Sequence, residues 1–194
     1  MLANVPIGRP TKPLKAHMPA TSDKILDDLA NDLLWLLIGA FVYRRRAQLE
    51  GLPTWSSQHL SEEFFLLEAA QRDLIMRLTA LDDRGRGQRS FPAALKALKD
   101  SGAISAQGQA EADAAIRAFR ELINDMKVKH RNAYIGHVLD EESSTPRLPQ
   151  APANLNAAIA AAVALGDRLA GVRKGYLFKL PGGERIDLRQ ALGV

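Results

Sequence analysis

Residues 21–46, "TSDKILDDLANDLLWLLIGAFVYRRR", decide the fold class, because the stretch suits either a membrane anchor or the central helix of a bundle. Ile25, Leu29, Leu33, Leu36, Ala40 and Phe41 recur three and four positions apart, the spacing of one face of an α-helix. Thr21, Ser22 and Asp23 offer an N-cap, and Gly51 and Pro53 stop the run, so a helix over about 22–50 is predicted. The longest uninterrupted apolar run, "LLWLLIGAFVY" at 33–43, has 11 residues before Arg44, Arg45 and Arg46. A membrane-spanning helix needs roughly 20 such residues. The stretch therefore reads as a buried helix, and no membrane association is expected.

Composition supports that choice. The chain has 194 residues, of which 46% are apolar, enough for one compact domain with tails and too apolar for global disorder. It contains no cysteine, which excludes disulfide frameworks, cysteine nucleophiles and cysteine-rich metal sites. Residues 1–20 hold four prolines, three basic residues and no acid, and read as a flexible basic arm. The arm lacks the apolar core of a secretory signal, so a cytoplasmic location is expected. The net charge of +4 favours polyanionic partners only weakly, and the position of the charge matters more than its sum.

Outward from the first helix, the pattern stays helical. "SSQHLSEEFFLLEAAQRDLIMRLTALDD" opens on serine caps and carries Leu60, Phe64, Leu67, Leu74 and Leu78 on one face. "RGRGQRS" at 84–90 is a loop that concentrates Arg84, Arg86 and Arg89. A short third helix opens at Ser90 and Pro92 and ends near Ser101 and Gly102. A fourth is predicted from Ser105 to about Leu139, with Ile116, Phe119, Ile123, Met126, His130, Ala133 and His137 in one stripe. A fifth, rich in alanine, spans 154–171. In "GYLFKLPGGERIDLRQALGV" alternating apolar residues flank "PGG", which suggests a small β-hairpin. The expected architecture is all-α: an antiparallel bundle of four to five helices over 21–172, with an extension at 173–194.

The chemistry concentrates in "HRNAYIGHVLD", residues 130–140. His130, Arg131, Asn132 and His137 fall within eight residues. One reading is packing, with both histidines on the apolar stripe and Lys127, Lys129 and Arg131 on a solvated rim. Zinc fits poorly, because His130 and His137 are seven apart rather than the three or four that set two ligands side by side. No metal or cofactor is expected. The other reading is phosphodiester chemistry. RNA cleavage requires a group that moves the 2′-OH proton and a group that stabilises charge on the phosphoryl oxygens. Histidine and arginine supply them.

"RNAYIGH", from Arg131 to His137, resembles the Arg-polar-x4-His motif of HEPN domains, all-helical modules found in prokaryotic toxins, abortive-infection proteins and CRISPR-associated ribonucleases. With its flank, "RNAYIGHVLD" is similar to the abortive-infection U-type HEPN-like group, and "EAAQRDLIMRLTALDDR" resembles an earlier helix of that group. The resemblance covers roughly residues 22–170. Leu139 stands where toxins paired with a minimal nucleotidyltransferase carry a modified tyrosine, which argues against that subgroup.

The resemblance implies a metal-independent endoribonuclease acting in defence or as a toxin. His137 would transfer protons, Arg131 would stabilise the phosphoryl group, and Asn132 would orient phosphate or histidine. On an ideal helix Arg131 and His137 lie about 9 Å apart along the axis and about 120° apart around it, so one protomer does not focus both on one phosphate. HEPN ribonucleases typically compose the site from two protomers, which implies a homodimer here. RNA is the expected partner, contacted by Arg84, Arg86, Arg89, Lys127 and His130 and aided by Arg44–Arg46, together with a neutralising or regulatory protein. A non-catalytic HEPN-like binding module is the alternative.

Overall fold

The computed structural model describes residues 22–48, 54–85, 89–128 and 152–194. Among these the chain is mostly helical: α1 (Ser22–Ala47), α2 (Ser57–Ala80), α3 (Phe91–Asp100), α4 (Ala106–Asp125) and α5 (Pro152–Ala170) precede strands β1 (Leu177–Lys179) and β2 (Arg185–Asp187), and α6 (Leu188–Leu192) follows them. The expected N-terminal arm, the Gly51 and Pro53 stop, and the continuation of the fourth helix to Leu139 lie outside the described residues.

The helix starts follow local chemistry. Ser56, Ser90 and Ser105 each accept a backbone N–H three residues on, from His59, Ala93 and Gly108, satisfying a donor that the first helical turn leaves unpaired. Two ion pairs accompany the antiparallel packing of α1 and α2. Arg46 donates to Glu63 at 2.6 Å, and Asp32 meets Arg89, beyond the far end of α2, at 3.3 Å. α5 also runs antiparallel to α1, with Asn156 bonded to Arg44 and Gly166 set against Leu33. A Cβ at Gly166 would lie 2.5 Å from Leu33 Cδ1, so glycine permits this approach.

Leu29, Leu33, Leu36, Leu37, Leu74, Leu78, Phe91, Ile123 and Val163 form one core from five helices. Phe91 packs edge-on against Phe119, with ring centroids 5.2 Å apart. The expected α2 face is only half realised. Leu74 and Leu78 are buried, but Leu60 and Phe64 are 39% and 47% exposed. Glu63, beside them, is buried, and its carboxylate is paired with Arg46 of α1.

The C-terminal segment is the expected hairpin plus a helix that the sequence reading did not include. β1 and β2 pair antiparallel with Phe178 opposite Ile186. Tyr176, Leu188 and Leu192 join the core. Arg189, nearly buried, holds both oxygens of Asp167 at 2.6 and 2.7 Å, donates to the Lys174 carbonyl at 2.7 Å and lies over the Tyr176 ring. No helix of the described residues is long and apolar enough to cross a membrane.

Candidate functional site

The apolar face of α2 ends on a charge. Asp82 lies one helical repeat past Leu78, and its side chain is 1% exposed. A buried carboxylate is costly unless it is paired and hydrogen-bonded. Arg120 supplies Nε at 3.0 and 2.9 Å from the two oxygens and Nη2 at 2.7 Å, and Lys127 adds Nζ at 3.2 Å. The Asp82 hydrogen bonds raise the Arg120 pKa above its ordinary value, with burial opposing. One carboxylate therefore ties the end of α2 to α4 at two points.

In the sequence, the residues of this tie stand shortly before the two segments of interest. Asp82 stands two residues before Arg84, where the arginine-glycine loop begins. Lys127 stands four residues before Arg131, in a π-type turn over residues 126–128 that widens the end of α4. The base of the loop is closed by two further bonds. Phe91 N–H donates to the Leu81 carbonyl at 2.8 Å, and Ser90 Oγ donates to the Asp83 carbonyl at 2.6 Å. The loop thus leaves a fixed neck.

The expected site residues divide as follows. His130, Arg131, Asn132, His137 and Arg86 lie outside the described residues. Arg84 is exposed at the start of the loop. Arg89 is exposed but within 3.3 Å of Asp32, whose pKa is raised by burial while Arg89 opposes the shift. The ammonium of Lys127 is engaged by Asp82. Arg44 donates to Asn156 and to the carbonyls of Ala191 and Leu192, Arg46 to Glu63, and Arg45 lies 5.8 Å from the Phe41 ring centre. Much of the arginine cluster at 44–46 therefore serves the chain's own ends.

Asp82 and Arg120 were missed by sequence reasoning. The usable signal was an acid in register with Leu74 and Leu78, which demands a cation from another helix. No group of three side chains suited to hold a metal ion occurs among the described residues. Compared with known protein families, curated proteins and solved structures, the chain finds no match.

Proposed function

We propose that the protein is a metal-independent endoribonuclease of the HEPN type, acting in defence or as a toxin through a site shared by two protomers. The reading is carried by the "RNAYIGH" motif, which in the sequence begins three residues after Val128, the last described residue past α4. His137 takes the 2′-OH proton or protonates the leaving oxygen, Arg131 stabilises the phosphoryl group, and Asn132 orients it. The Arg84–Arg89 loop, leaving its neck two residues from Asp82, supplies backbone contacts to RNA.

Incubation of the full chain with labelled RNA in EDTA tests this. Cleavage with 2′,3′-cyclic phosphate ends is expected, and a requirement for a divalent ion contradicts it. Light scattering at micromolar concentration is expected to give twice the monomer mass. A strict monomer contradicts the shared site.

One observation favours a second reading, a non-catalytic interaction module. Leu60 and Phe64, one turn apart on the first half of α2, are 39% and 47% exposed, and Phe65 next to Phe64 is 68% exposed. Clustered exposed apolar side chains mark protein contact surfaces. Stoichiometric RNA or protein binding without cleavage would select this reading.

A further inference from the structure

The C-terminal hairpin carries a charge arrangement that its own folding does not call for. Leu188 N–H bonds the Tyr176 carbonyl and Leu180 N–H bonds the Glu184 carbonyl, both at 2.9 Å. Alternation along an antiparallel ladder then makes Lys179 and Arg185, which stand opposite each other, a pair without mutual hydrogen bonds. In such pairs the Cα atoms approach to about 4.5 Å and the side chains are closest. Like charges directly opposite are destabilising. The sheet has only two strands of three residues, so it has little stability to spare.

Lys179 and Arg185 form no ion pair among the described residues. Asp187, on the same exposed face, uses Oδ1 to cap α6, accepting from Arg189 N–H and Gln190 N–H at 2.9 and 3.2 Å. Strand alternation sends Glu184 to the opposite face. Residues 173–194 hold five basic side chains against two acidic ones, so the excess charge of this segment belongs to the chain's basic surplus.

The turn beside the pair is firm and open. Gly183 has a left-handed φ of 86°, and its N–H donates to the Leu180 carbonyl at 2.9 Å, which fixes a tight three-residue connection. A Cβ at Gly182 would meet nothing within 4 Å, so the backbone at the tip of the turn is open.

We propose that the outer face of the hairpin, centred on Lys179 and Arg185, is an RNA-backbone site: two cations held side by side for adjacent phosphates, with the repulsion between them relieved on binding. The choice of RNA among polyanions rests on the proposed function. A lipid surface fits less well, because Leu177 is the one large apolar side chain this face exposes.

The test uses the full chain and a fluorescent 2′-O-methyl oligouridine of about 20 nucleotides, which cannot undergo 2′-OH attack, so binding is read apart from cleavage. Anisotropy is followed across a salt series. Lys179→Glu turns the repulsive pair into an attractive one, so its melting temperature is expected to equal or exceed that of the wild type while affinity falls about ten-fold. Lys179→Gln with Arg185→Gln is expected to weaken binding and lower the slope of log affinity against log salt by about 1.4, for two contacts at ~0.7 each. Unchanged affinity and slope in both variants would overturn the proposal and leave the cations as guards of the sheet edges. So would charge-dependent binding to phosphatidylserine vesicles without binding to the oligonucleotide. Hairpin-dependent binding by a chain that cleaves no unmodified RNA removes the nuclease reading and keeps this site. Cleavage with hairpin-independent binding does the reverse.

Discussion

The two halves of α2 obey one sequence rule and meet different surroundings. In the second half, Leu74, Ile75 and Leu78 are at most 3% exposed, and the face closes on Asp82, which two cations from α4 satisfy. In the first half, Leu60 and Phe64 continue the same face but reach solvent, and Phe65 beside them is 68% exposed. Periodicity tells which side chains share a face. It does not tell whether another element lies over that face. The closed half determines stability, and the open half is surface available for contact.

The largest expected effect lies in the closed half. Leu78→Ala is expected to cost about 2 to 5 kcal/mol, the range for truncating a fully buried leucine, whereas Phe65→Ala is expected to change stability by less than about 0.5 kcal/mol. Urea denaturation of the two variants measures the contrast. Similar losses would erase the distinction between the halves.

Next comes the charge that closes the face. Asp82→Ala is expected to cost about 2 to 3 kcal/mol, below the range for a fully buried pair, because Arg120 and Lys127 retain side-chain exposures of 29% and 27%. Pairing Asp82→Ala with Arg120→Ala in a double-mutant cycle reads the coupling directly. Additive losses would show that the joint does not act as a unit.

A smaller effect marks the Arg46–Glu63 tie in the open half. Hydrogen bonds from Arg46 hold the Glu63 carboxyl below its ordinary pKa near 4.5, with burial opposing. Because the folded-state pKa is depressed, the contribution is present above that ordinary value and lost as pH falls through the folded one. The wild type should therefore exceed Glu63→Gln in stability at pH 7, and the gap should shrink as the pH drops below about 4. An equal gap at both pH values would contradict the ion pair's role.

Where local chemistry decides, the fold was legible. Ser90 and Ser105 cap the helices they were expected to open, Ile116, Phe119, Ile123 and Met126 are buried as one stripe, and "PGG" sits between paired strands. What tertiary context decides was not. Exposure of Leu60 and Phe64 depends on what packs over α2, and the partner of Asp82 comes from 38 residues away. α6 escaped notice because five residues carry no helical period of their own. It is set by Asp187 as N-cap and by Gly193 in the left-handed conformation behind it. Of the candidate site, Lys127 and Arg89 were expected to face RNA, but each meets a carboxylate that periodicity alone does not bring near it.

The most direct test of the central claim compares RNA cleavage in EDTA by the wild type and His137→Ala. If His137 transfers the proton, the variant is expected to lose about two or more orders of magnitude in rate while its RNA affinity and its melting temperature stay unchanged. Cleavage that persists in the variant would contradict the mechanism and return "RNAYIGH" to a packing or binding role.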